Sequence, residues 1–77
     1  MRYEIRTPED LGAVVADRRR GAGQSQAALA DQVGLSQDYV SKIEGGRTSS
    51  VTKHVFRILR RMGATIIITF DGEVTSE

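Results

Sequence analysis

The strictest constraint on this chain is the spacing of five residues in its middle third: Gln26, then Ala30 four residues on, Gly34 eight on, Val40 fourteen on and Ile43 seventeen on. Two short helices that cross steeply need a small side chain where their backbones approach, and Ala30 supplies it. The tight turn between them needs a residue that accepts positive φ, and Gly34 supplies that. Val40 and Ile43 lie one turn apart and anchor the second helix on the first. Its other side must then face outward, and it carries Gln37, Asp38, Ser41 and Lys42, flanked by Tyr39. Ser25 and Ser36 stand just before the two helices.

The flanks predict the remaining elements. Thr7-Pro8-Glu9-Asp10 offers an N-cap, a proline at the first helical position and two acids in the first turn, so a helix is expected from there to about Arg20. Leu11, Val14 and Val15 fall on one of its faces, and Gly21 and Gly23 are expected to supply the left-handed backbone that ends it. In the next helix Ala28, Leu29 and Val33 are expected to point inward. Ser49 or Ser50 caps a fourth helix over 51–62, ended by Gly63. There Val55, Ile58, Leu59 and Met62 make an apolar stripe, Lys53, Arg57, Arg60 and Arg61 a basic one, with Phe56 between. The period then changes: residues 64–70 are β-branched and aromatic, followed by Asp71-Gly72, which reads as a strand. Tyr3, Glu4 and Ile5 are a weaker candidate for a short N-terminal strand.

At 77 residues there is room for one domain, over 1–70, near the size where a single core gives only a few kcal/mol of stability. A second copy is therefore expected to help. Cysteine is absent, which excludes disulfides and thiolate metal sites. No apolar run approaches the roughly 18 residues that span a bilayer, and a soluble, cytoplasmic protein is expected. The net charge of +1 hides an uneven distribution, because Asp71, Glu73 and Glu77 crowd into the last seven residues. That acidic tail, 71–77, is expected to be disordered. Between Ser36 and Met62, Lys42, Arg47, Lys53, Arg57, Arg60 and Arg61 face only Asp38 and Glu44, a balance suited to a polyanion.

The run Ser25-Gln26-x-x-Leu29-Ala30-x-x-x-Gly34-Leu35-Ser36, with Ile43-Glu44-x-Gly46, resembles the lambda-repressor/Cro-type (XRE) helix-turn-helix family. The resemblance implies a mostly α fold, a repressor-like domain of four to five helices with the C-terminal strand used for dimerisation. It also implies an internal ion pair between Arg19 and Glu44. Arg18 and Gln24 depart from the family, standing where leucine-like residues are usual, and Arg18 is expected to lay its stem on the core with its guanidinium in water.

In this family the second helix of the motif enters the major groove of double-stranded DNA. Gln26, on the helix begun by Ser25, is then expected to bond a phosphate. Gln37 suits adenine N6 and N7, and Lys42 suits guanine O6 or N7. Ser36 and Ser41 can serve either role. Asp38 either accepts from a cytosine amine or favours the helix N-terminus, and Tyr39 meets a phosphate or a thymine methyl. Arg47, with Thr48-Ser49-Ser50, is placed for the backbone. His54 needs no functional role.

No carboxylate pair, nucleophile–base pair, phosphate-cradling loop or metal-ligand cluster is evident, so neither catalysis, a cofactor nor a metal is expected. Two pairings are open to the terminal strand, in which Ile66, Ile68 and Phe70 share one face and Ile67 takes the other. It can pair with its twin, burying isoleucine and phenylalanine over the fourth helix in a homodimer that reads a palindromic operator, or with Tyr3 to Ile5 of its own chain. The arrangement is most similar to HipB-type antitoxins, which implies dimerisation through the strand, repression of the protein's own operon and a HipA-like kinase toxin as partner. A phage-like or restriction-controller repressor without a toxin is the first alternative, and a protein-interaction module that has lost DNA contact is the second.

Overall fold

Every helix of this chain starts where a side-chain oxygen replaces a missing backbone partner. The computed structural model describes residues 1–72, in the order β1 (Arg2–Ile5), α1 (Pro8–Gly21), α2 (Gln26–Val33), α3 (Gln37–Glu44), α4 (Ser50–Arg61) and β2 (Ile66–Thr69). Thr7 caps α1 reciprocally: its Oγ1 accepts from the Asp10 amide at 3.1 Å while the Asp10 carboxylate accepts from the Thr7 amide at 3.3 Å. Ser25, Ser36 and Ser49 cap α2, α3 and α4. Between α2 and α3, Gly34 takes φ +72, the left-handed turn its position demanded. Of the two glycines expected to end α1, Gly23 is left-handed whereas Gly21 is still helical.

β1 and β2 form a two-stranded antiparallel sheet, pairing Arg2 with Thr69, Tyr3 with Ile68, Glu4 with Ile67 and Ile5 with Ile66. This is the intrachain pairing. The inner face of the sheet, Tyr3, Ile5, Ile66 and Ile68, joins Phe70 and packs on Val14 and Leu11 of α1 and Phe56 of α4. The isoleucines and Phe70 therefore lie mainly over α1, where the expected arrangement put them over the fourth helix. Ile67 faces outward, and the second edge of β2 carries no strand among the described residues.

The core corrects the helical faces as well. Ala30 and Val40 are buried where α2 meets α3, but Ala28 and Val33 are exposed, because α2 is short and only its Leu29–Ala30 side reaches α1 and α3. In α4 the buried residue is Phe56; Val51, Val55, Ile58 and Met62 remain between 47% and 74% exposed. α1 and α3 meet almost backbone to backbone at Gly12, where an added Cβ would lie 2.2 Å from the Ile43 carbonyl oxygen. Among the described residues no helix is long and apolar enough to cross a membrane. Residues 73–77, which hold most of the expected acidic tail, lie outside the described residues.

Candidate nucleic-acid interface

α3 is held in place from behind. Glu44, its last residue, takes Arg19 Nε on Oε2 at 2.7 Å and Arg19 Nη2 on Oε1 at 3.0 Å, a two-pronged pair with side chains only 10% and 6% exposed. Arg19 Nη1 continues to the Gln24 carbonyl at 2.8 Å, so one guanidinium ties α1 to the start of α2 and the end of α3. The hydrogen bond from Arg19 is the main reason the Glu44 carboxyl sits below its ordinary pKa, and burial opposes it. Arg19 is pushed the other way by the same bond.

Gln26 joins this network, donating from Nε2 to Glu44 Oε1 at 3.1 Å. An amide nitrogen has two hydrogens, so one fixes the side chain on Glu44 and the second stays available to an acceptor outside. The cap serines work similarly. Ser25 Oγ accepts from the Ala28 amide at 3.0 Å and Ser36 Oγ from the Tyr39 amide at 3.1 Å, which uses a lone pair and leaves each O–H free to donate.

With Val40 turned in and Glu44 locked, Ser36, Gln37, Asp38, Tyr39, Ser41 and Lys42 are all exposed. Asp38 and Lys42 face each other one turn apart at 3.1 Å, a solvated pair that costs little to break. The packed α2 and α3, the left-handed glycine between them and the buried pair behind are the parts of one motif, and the family model described as a helix-turn-helix domain matches residues 10–64. The chain belongs to that helix-turn-helix family.

Among curated relatives of this helix-turn-helix chain is the uncharacterized HTH-type transcriptional regulator y4mF of Sinorhizobium fredii, 30% identical over 95% of this chain and 96% of its own length. The ImmF control region 10 kDa protein of Bacillus phage phi105 is 40% identical over 62% of this chain and 53% of its own. No solved structure matches the chain.

Arg47, expected at the DNA backbone, takes a place between two clefts that its spacing does not show. Its amide bonds the Lys42 carbonyl at 2.9 Å, and it borders a cleft with Asp38, Ser41 and Lys42 on one side and a second one on the other, where Lys53, Arg57 and Arg60 stand with a single acid, Glu9. It thus joins the outer face of the helix-turn-helix to the basic side of α4 into one positive tract. The sequence shows both charge runs but not that they meet, because the junction depends on the left-handed turn at Gly46, φ +80. Ile66, Ile68 and Phe70 stand apart from this surface, on the core side of the sheet. Among the described residues no cluster of three metal-ligating side chains occurs.

Proposed function

We propose that this protein is a sequence-specific DNA-binding transcriptional repressor that acts as a homodimer. The observation that carries the proposal is that the polar face of α3 is wholly exposed while its opposite side is locked by Arg19, Glu44 and Gln26. A rigid helix with exposed carboxamide and hydroxyl groups, and an ammonium held only by a solvated partner, is what base-edge recognition in a major groove requires. Gln37 and Lys42 read bases; Ser25, Gln26, Ser36 and Arg47 hold phosphates; Ser41 and Tyr39 sit at the margin; and Asp38 steers Lys42 until DNA displaces it. The names of the relatives, a transcriptional regulator and a phage control-region protein, support a regulatory role.

Dimerisation is supported by the exposed stripe on α4, which wants a cover, and by the open edge of β2 with Ile67 beside it. In this proposal Ile66, Ile68 and Phe70 support the interface from behind, and two copies place their α3 helices in successive major grooves of a palindromic operator about 34 Å apart. The finer proposal, which rests on the resemblance to HipB-type antitoxins, is a cytoplasmic autorepressor that also holds a HipA-like kinase toxin. A repressor without a toxin is the second reading, favoured by the phage control protein among the relatives.

Co-purification of the tagged chain from its host tests both levels. Recovery of its own promoter with a kinase-sized protein supports the antitoxin, recovery of promoter alone supports the simple repressor, and recovery of neither rejects DNA binding. In vitro, Gln37→Ala with Lys42→Ala must weaken operator binding by about tenfold or more, and unchanged affinity would leave the protein-interaction alternative standing.

A further inference from the structure

Arg18 was expected to send its guanidinium into water. Instead the guanidinium carbon lies over the Phe70 ring, 4.3 Å from its centroid, and Nη2 donates to the Gly72 carbonyl at 3.0 Å. Phe70 is in turn braced edge-on by Tyr3, with centroids 5.9 Å apart. Arg18 Nε is buried and meets no acceptor among the described residues. The nearby carboxylates are engaged elsewhere, since Asp17 takes the Tyr3 hydroxyl at 2.5 Å and Glu44 takes Arg19. Among the described residues, then, no carboxylate pairs with this half-buried cation. A buried donor left without an acceptor on a charged group is costly and calls for an explanation.

The same side chain borders a groove of about 290 Å³ between α1, α2 and β2, walled by Leu11, Val15, Leu29 and Ile68. Gln24, the second residue that departs from the resemblance, also borders it, with its amide turned to Gln32. Where two bulky apolar residues would fill the space, an arginine and a glutamine leave it open and give it a cationic end.

We propose that this groove binds a small apolar carboxylate, its chain or ring among Leu11, Val15, Leu29 and Ile68 and its carboxylate on the Arg18 guanidinium. At about 290 Å³ the space stands at the lower end of small-molecule pockets, which suits a small ligand. An aromatic or short aliphatic acid meets both demands of the site, apolar walls and a guanidinium that no carboxylate pairs with among the described residues, whereas an alcohol or hydrocarbon of the same shape meets one.

The proposal does not depend on DNA binding and is tested without DNA. The methyl resonances of the full chain are followed during titration with phenylacetate, and with phenylacetamide as an uncharged match. Saturable shifts at Leu11, Val15, Leu29 and Ile68 in the millimolar range are expected with the acid, with the amide at least about tenfold weaker. Arg18→Gln should lose the preference for the acid, and Arg18→Lys should keep part of it. Val15→Phe, which fills the groove and spares Arg18, should abolish the shifts. Overturning results are an absence of shifts in the unaltered chain, whether its own residues 73–77 hold the groove or nothing does, equal binding of acid and amide, or undiminished binding by Val15→Phe.

Discussion

Glu44 shows how one side chain can be structural and functional together. Its carboxylate closes the Arg19 bridge and orients Gln26, so losing it leaves Arg19 nearly buried without a counter-charge. Removing one member of such a pair costs about 3 kcal/mol, and Glu44→Ala should lower the melting temperature by more than about 10 °C in a domain of this size. The pH dependence has a definite sign. A carboxyl held below its ordinary value contributes its stability in full above about pH 4.5, and loses it as the pH falls through the folded value. Glu44→Gln should therefore flatten the acid limb of the stability curve, and an unchanged limb in thermal melts from pH 6 to 3 would contradict this, both pH limits being set by about the carboxylate range. Gly12 is the steric counterpart. With the Ile43 carbonyl oxygen 2.2 Å from where a Cβ would stand, Gly12→Ala should cost about 3 kcal/mol or more, whereas Gly21→Ala, with nothing within 4 Å, should raise stability by about 0.5–1 kcal/mol. Denaturant midpoints of the two variants check both.

At the scale of elements, α4 is the helix whose faces the sequence separates and the fold reassigns. Spacing alone distinguishes its apolar and basic stripes but does not say what covers the apolar one, because a core contact and a contact with another molecule share the same 3.6-residue period. The structure gives the core contact to Phe56 and leaves Val51, Val55, Ile58 and Met62 in solvent. A similar limit makes β1 a weak signal: three residues are enough to suggest a strand but not its partner, and what fixes it is Ile5, which is almost fully buried against Val14 and Phe56. By contrast, caps, glycine turns and the Arg19–Glu44 pair were legible, since each depends on a local or motif-fixed position. Gly12 was not, because nothing within its own helix signals that another backbone passes close by. A stripe left exposed in this way predicts its own variant. Ile58→Asp should keep the native circular dichroism and a stability within about 0.5 kcal/mol, as a surface change does, yet, where the proposed dimer pairs through this stripe, shift the sedimenting species from dimer to monomer. A variant that stays dimeric would move the interface to the β2 edge, and Ile67→Lys is the companion that tests it.

For the whole molecule, the decisive property is how charge is laid out around α3, whose inner side is locked by Arg19 and Glu44. The tract from Lys42 through Arg47 to Lys53, Arg57 and Arg60 lies on the side of α4 away from the exposed apolar stripe, so pairing through that stripe leaves both tracts open to one DNA duplex. If each protomer of the proposed dimer neutralises three or more phosphates, its operator affinity should fall with salt at a logarithmic slope of about −5 or steeper. Arg57→Ala should make that slope shallower by about two, one contact per protomer, and weaken all DNA sequences alike. Gln37→Ala should leave the slope in place and erode the preference for operator over random DNA, because a base contact carries sequence and a phosphate contact does not. The two variants thus separate the parts of the interface that the structure joins at Arg47. A Gln37→Ala slope as shallow as that of Arg57→Ala would mean that α3 lies along the phosphate backbone, with the base-reading role passing to another element.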